Sequence, residues 1–275
     1  MLKDTKICFV GGGMMATAML AGLHKQHIIT PSNITASDPY PEQLKKLAEG
    51  YHIQTTQDNL AAIRDKDIVV LSIKPQMFDQ VGHQLRGHLA PNVLVLSIMA
   101  GVPIGKMSQN LHHNRLVRVM PNTPAIVGKG MSVWSCTEEV SEAQKAQAKT
   151  MLGALGEEIF VEKEDFLDMA TALSGSAPAY IFLFMEAMID AGVQLGFSRA
   201  VAQQIVYQNL EGAVAFARES GRHPAELRNM VTSPGGTTAE ALYQLEKGGF
   251  RTVLSKAIWA AYQKSRKLGG TKDND

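Results

Sequence analysis

Four apolar residues, Ile7-Cys8-Phe9-Val10, run directly into Gly11-Gly12-Gly13-Met14-Met15-Ala16. An apolar run that stops at three glycines and resumes as a helical pattern can fold in few ways. The spacing is G-x-G-x-x-A, the turn that joins the first strand of a doubly wound sheet to its first helix. Each small residue has a physical reason. Gly11 permits the tight turn, Gly13 lets the backbone approach a pyrophosphate, and Ala16 lets helix and sheet pack closely. The helix start adds unpaired N–H groups and a positive dipole end. A glycine turn between any strand and helix would look the same in isolation. A strand before, a helix after and a second strand beyond favour a dinucleotide site.

The alternation continues over residues 1–163. Apolar, β-branched runs lie at Asn33 to Ser37, Ile68 to Ser72, Val93 to Ile98, Leu116 to Met120, Met131 to Trp134 and Glu157 to Val161. Between them come helical patterns such as Met14 to Lys25, Glu42 to Glu49, Gln76 to Leu85 and Glu142 to Leu155. Near-continuous apolar strands separated by helices predict a mostly parallel sheet covered on both faces. The charged stretch Glu162-Lys163-Glu164 marks the expected boundary. Residues 164–275 then read as helix throughout: Asp165 to Leu173, Ala179 to Leu195, Ser198 to Ser220, Pro224 to Val231, Thr238 to Lys247 and Phe250 to Leu268. Gly196, Gly221 and Gly248-Gly249 stand where helices end, and Ser198 and His223-Pro224 where they begin. The tail from Gly269 to Asp275 is polar and expected to fray. The fold class is thus α/β, a Rossmann-type domain followed by an all-helical one.

Composition narrows the function classes. A formal net charge of +1 argues against a basic nucleic-acid-binding face. Two cysteines, Cys8 and Cys136, form neither a disulfide framework nor a metal-ligand pattern, and both sit in apolar runs that suit packing. The eight histidines are scattered; His112-His113 reads as a solvated polar loop and His223 as a helix start. No metal is expected. The segment from Met1 to Lys6 leaves no room for a signal peptide. The apolar stretch around Ala177 to Met188 falls short of the ~20 residues a membrane span needs. A cytoplasmic protein without membrane attachment is the expectation.

Further candidates stand at the carboxyl ends of strands, where open α/β sheets bind ligands. Asp38 ends the second strand about 20 residues beyond the glycine turn, the position of an acid that bonds an adenosine ribose. Pro39-Tyr40-Pro41 also makes it an ordinary turn residue. No arginine stands there to clamp a 2′-phosphate. Lys74 follows an apolar strand, where a merely solvated lysine has no need to be. Met120-Pro121-Asn122-Thr123-Pro124 either points Asn122 at a nicotinamide or is a structural turn. In the helical half, Ser233-Pro234-Gly235-Gly236-Thr237-Thr238 precedes an amphipathic helix. Two glycines and two hydroxyl residues give consecutive free N–H groups, a nest that suits a small carboxylate. An ordinary cap needs one Ser or Thr and no glycine pair. Leu173-Ser174-Gly175-Ser176-Ala177-Pro178-Ala179-Tyr180 opens the long helix with small residues that permit close approach. Without a nucleophile motif or paired carboxylates, hydride transfer to an already electrophilic iminium fits the parts.

These motifs together resemble the pyrroline-5-carboxylate reductase family, in its order and over essentially the whole chain. Those that carry the resemblance are Gly11 to Ala16, Val69 to Pro75, Ala100-Gly101-Val102, Met120 to Pro124, Leu173 to Tyr180 and Ser233 to Thr238. The resemblance implies NAD(P)H-dependent reduction of L-1-pyrroline-5-carboxylate to L-proline, with NADP or NAD as cofactor. It implies a helical domain that interlocks in a homodimer, often within larger rings of dimers. It places Gly11, Gly12, Gly13, Met14, Met15, Ala16, Asp38, Asn59, Ile73, Lys74, Pro75, Met99 and Ala100 beside the dinucleotide. Glu164, Gly236, Thr237 and Thr238 fall beside the imino acid, with Thr238 at the ring nitrogen as positioner or proton donor. Met14 departs from the family's usual asparagine or glutamine, and Asp38 from a small hydroxyl residue common there. A β-hydroxyacid-type dehydrogenase would need a lysine on the first long helix of the second domain, and Ala179 to Leu195 has none. A non-catalytic dinucleotide sensor gives no reason for a carboxylate nest.

Overall fold

The computed structural model describes residues 2–270. The expected fraying of 271–275 lies outside the described residues; Gly269 and Gly270 form a turn after the last helix. The chain first alternates β1 (Ile7–Val10), α1 (Met14–Lys25), β2 (Ile34–Ser37), α2 (Pro41–Tyr51), β3 (Gln54–Thr56), α3 (Asn59–Ile63), β4 (Ile68–Leu71) and α4 (Phe78–Leu85). It continues through β5 (Leu94–Ser97), α5 (Ile104–Leu111), β6 (Leu116–Met120), β7 (Gly130–Cys136), α6 (Glu142–Gly153) and β8 (Gly156–Phe160). Helices follow: α7 (Phe166–Ala170), a π turn (Thr171–Gly175), α8 (Ala177–Gln194), α9 (Arg199–Ser220), α10 (Pro224–Met230), α11 (Thr237–Lys247) and α12 (Phe250–Leu268).

The eight strands form one sheet in the order β3-β2-β1-β4-β5-β6-β7-β8. Pairing is parallel except between β6 and β7. The pleat sorts side chains between two cores. Ile7, Phe9, Ile68, Val70, Leu94 and Leu96 enter one, with Ala16, Met19, Met151 and Leu152. Cys8, Val10, Val69, Leu71, Val93 and Val95 enter the other, with Phe78, Leu85, Met107 and Leu111. Both faces are covered, which is why the strands read as unbroken apolar runs. Gly22 brings α1 against α6, since a Cβ there would strike the Ala154 carbonyl.

The structure corrects three expectations. His113 is buried and not solvated; its Nε2 lies 2.7 Å from the Val93 carbonyl oxygen, and burial pushes its pKa below the usual 6.5 despite that bond. The short polar strand β3 and helix α3, absent from the sequence reading, fill the span between α2 and β4. The apolar stretch near Ala177 also continues upstream through the π turn. The resulting run from Phe166 to Gln194, 29 residues, is long and apolar enough by length and composition alone to cross a membrane.

By their own contacts the described residues divide into two compact units, residues 2–176 with 261–270, and residues 177–260. In the second, α8 packs on α9 through Ile189, Ala202 and Val206, with Met185, Met188 and Leu210 against them. Gly192 permits that approach, its Cβ position lying 2.9 Å from the Ala202 methyl. Many apolar side chains there remain outside any core, among them Phe182, Leu183 and Val253, each about 60% exposed or more.

Candidate active site

The glycine turn is shaped by three different demands. Gly11 has φ +98°, and a Cβ on it would lie 2.8 Å from the Ser72 carbonyl oxygen. Its N–H donates to the Ser37 carbonyl oxygen at 2.8 Å, and its carbonyl accepts from the Ser72 hydroxyl at 2.6 Å. The turn is thereby tied to the ends of β2 and β4. Gly12 packs under Leu47 of α2, 2.8 Å from where its Cβ would be. Gly13 differs: its φ is an ordinary −66°, and nothing lies within 4 Å of a Cβ built there. It caps α1 without a side-chain bond, and the amides of Met14 and Met15 have no hydrogen-bond partner among the described residues. An open cradle at Gly13 backed by bare N–H groups fits a pyrophosphate.

Around this turn stand most of the other expected residues. Asp38 accepts from the Gly12 amide at 2.8 Å and from the Tyr40 amide at 3.0 Å. Asn59 accepts from the Ser37 hydroxyl at 2.8 Å and donates to Gln84 Oε1 at 3.0 Å. Ile73 lies against Gly11, Lys74 is exposed at the start of a short 3-10 turn, and Pro75 is that turn's first residue. Met99 and Ala100 follow β5. Met14 is 69% exposed, whereas the side chains of Ala16 and Met99 are buried and Met15 packs partly on the core. Asn122 serves as a structural turn: its Oδ1 accepts from the Met131 amide at 2.9 Å, and its Nδ2 donates to Ser174 Oγ at 3.2 Å. Ser174 belongs to the π turn, whose closing bond runs from the Ser176 amide to the Thr171 carbonyl at 2.8 Å.

A cluster that the sequence reading did not assemble surrounds Glu164. Arg118 in β6 is 4% exposed; its Nη1 lies 2.6 Å from Glu164 Oε1 and its Nη2 3.7 Å from Asp168 Oδ1. The Ile104 amide, first in α5, donates to the same Glu164 oxygen at 2.8 Å. Ser265 of α12 donates to Asp168 Oδ1 at 2.7 Å. One buried guanidinium thus fixes the segment after β8, the start of α5 and the end of α12. An arginine between Val117 and Val119 in an otherwise apolar strand was the available signal, because a buried charge needs partners.

In the second unit the nest begins at Gly235, with φ +68°. The Gly236 amide donates to the Ser233 carbonyl at 3.0 Å, and a Cβ on Gly236 would strike the Ser233 hydroxyl. Gly236 caps α11 without a side-chain bond, so the amides of Thr237 and Thr238 have no hydrogen-bond partner among the described residues. Helices α3, α6, α9 and α10 instead carry side-chain caps from Asp58, Ser141, Ser198 and His223. Only α1 and α11 have glycine at the N-cap among the described α-helices with an assigned N-cap. No group of three or more His, Cys, Asp or Glu side chains is placed to hold a metal among the described residues. Burial pushes the Cys8 thiol up to about 12, so it is neither nucleophile nor ligand at neutral pH.

Comparison with known proteins agrees with this geometry. The model of pyrroline-5-carboxylate reductase dimerisation matches residues 164–268, and that of NADP oxidoreductase, coenzyme F420-dependent, matches residues 6–101. The chain is 42% identical to pyrroline-5-carboxylate reductase of Pseudomonas aeruginosa over 97% of this chain and 98% of that one. It is 35% identical to the Escherichia coli enzyme over 96% and 98%. Among solved structures, pyrroline-5-carboxylate reductase from Coxiella burnetii superimposes with a TM-score of 0.89 at 36% identity, covering 97% of this chain and 99% of that one. The Plasmodium falciparum pyrroline carboxylate reductase with NADP bound gives a TM-score of 0.89 at 32% identity, again over 97% and 99%. Prephenate dehydrogenase from Aquifex aeolicus, at 14% identity and a TM-score of 0.53, shares the fold alone. With glycine-capped helix starts in both halves and relatives matching it from end to end, the chain belongs to the pyrroline-5-carboxylate reductase family.

Proposed function

We propose that this chain reduces L-1-pyrroline-5-carboxylate to L-proline with NADPH or NADH, in the cytoplasm. The observation that carries the reading is the pair of bare, glycine-capped helix starts, at Gly13 and Gly236, within a chain whose full-length relatives are named for this reaction. The dinucleotide, when bound, supplies the hydride. Residues 1–163 act as the dinucleotide-binding domain. Gly11 to Gly13 give the turn, and the amides of Met14 and Met15 meet the pyrophosphate. Ala16 and Met99, whose side chains are buried, border it through their backbone. Asp38, Asn59, Ile73-Lys74-Pro75 and Ala100 complete the rim.

Residues 164–275 act as the substrate-binding and dimerisation domain. The substrate carboxylate sits on Gly236, Thr237 and Thr238, two of whose amides are unpartnered and at the positive end of α11. The Thr238 hydroxyl meets the ring nitrogen and orients the C=N bond, which gives a near-attack geometry without covalent help. Glu164, whose carboxylate is held by Arg118, is assigned as a further residue that the imino acid meets. The exposed apolar side chains of α8 and α9 are covered by a second copy of the chain, in a homodimer and in rings of such dimers. An absorbance assay of nicotinamide oxidation, run with each cofactor, tests the reading. Oxidation that needs pyrroline-5-carboxylate and yields an equal amount of proline is expected; folded protein inactive with both cofactors contradicts it.

A further inference from the structure

The geometry points to Asp38 as the residue that makes this chain select NADH over NADPH. The inference rests on the reading that the glycine turn binds the reduced dinucleotide. In such a turn the end of β2 meets the adenosine ribose, the one part in which the two cofactors differ. Asp38 follows Ser37, the last residue of β2. Its Oδ2 accepts from the Gly12 amide at 2.8 Å and its Oδ1 from the Tyr40 amide at 3.0 Å, so both oxygens are anchored and the carboxylate cannot swing away. It makes no ion pair with a lysine or arginine among the described residues.

An ionised carboxylate only accepts hydrogen bonds. The 2′- and 3′-hydroxyls of NADH donate; a 2′-phosphate brings further negative charge and no useful donor. The segment that follows β2 offers that phosphate no positive charge. Asp38-Pro39-Tyr40-Pro41 contains no cation, and its two prolines lack an N–H. The first lysines of α2 are Lys45 and Lys46, beyond its opening turn. The Ser37 hydroxyl is buried and donates to Asn59, the Asn59 amide donates to Gln84, and the Gln43 amide donates to the Gly12 carbonyl. These three polar side chains are thereby engaged within the protein.

The test compares the two cofactors by calorimetry without substrate and by steady-state kinetics with pyrroline-5-carboxylate. Unmodified protein should bind NADH more tightly than NADPH and show kcat/KM higher for NADH by about tenfold to a hundredfold, the range of a charge-assisted hydrogen bond gained or lost. Asp38→Ser should lower that ratio at least tenfold, and Asp38→Asn, which keeps an acceptor for the Gly12 amide, should lower it as well. Equal or tighter binding of NADPH by unmodified protein, or an unchanged ratio in both variants, overturns the inference. Selective NADH binding with no reduction would remove the proposed reaction and leave the role of Asp38 standing; equal turnover with both cofactors would do the reverse.

Discussion

The sheet-bearing unit and the helical unit, residues 177–260, differ in where their apolar side chains go. In the first, β1, β4 and β5 are buried on both faces between two complete cores. In the second, the buried core comes down to Ile189, Ala202 and Val206, while Phe182, Leu183 and Val253 stay exposed. The first unit closes its own core. The second has apolar surface that one copy leaves open, far more than scattered surface residues need. The contrast extends to the ligands: one unit offers a glycine turn braced by two neighbouring strands, the other a glycine pair at the start of a surface helix.

The contrast can be broken at its weakest side first. Leu183→Glu should leave the first unit's fold intact and separate the subunits. An uncompensated buried carboxylate costs on the order of 3 kcal/mol or more, which raises the dissociation constant more than about a hundredfold. Sedimentation equilibrium reads this directly, and an unchanged assembly would mean that Leu183 faces water. On the other side, Arg118→Met leaves Glu164 and Asp168 without their buried partner and should destabilise the sheet-bearing unit by about 3 kcal/mol or more. Urea unfolding checks it; a loss under 1 kcal/mol would mean that the cluster contributes little.

Gly13→Val sharpens the distinction between glycines that serve the fold and those that serve a ligand. With an ordinary φ and open space at its Cβ position, the variant should lose no more than about 1 kcal/mol of stability, the cost of a poor cap residue. Its dinucleotide affinity should fall about tenfold or more, through lost contacts to a charged group. The smallest effect concerns His113. Burial lowers its folded pKa, so between that value and the ordinary 6.5 the unfolded chain binds more protons. Stability from this group is therefore full above pH 6.5 and declines as pH falls below it. His113→Gln should flatten that part of a stability-versus-pH curve, whereas an unchanged slope would assign it to other groups.

How much of this was legible in the residues depends on what each pattern encodes. β1, α1 and the parallel core could be read because a two-sided sheet writes itself as unbroken apolar runs with glycine at the turn. β3 could not, since Gln54-Thr55-Thr56 is a polar edge strand with little to bury. The antiparallel placement of β7 was also hidden, because an apolar run carries no direction. Residue type alone left Asn122 undecided between cofactor and turn; the Met131 amide and Ser174 decided it. The Arg118 cluster joins residues about 150 positions apart, from Arg118 to Ser265, and no local pattern spans that distance. The glycine-rich start of α11 was readable because a glycine pair beside two threonines exceeds what an ordinary helix cap needs.

The most direct test of the account sets the two glycine-capped helix starts against each other in one variant. Thr238→Ala should lower kcat/KM for pyrroline-5-carboxylate by about one to three powers of ten, as expected for an oriented bond that strengthens in the transition state. Calorimetric affinity for NADH should stay that of the parent. Parental kinetics in folded Thr238→Ala, or a matching loss of NADH affinity, would contradict the division of labour between the sheet and the helix start.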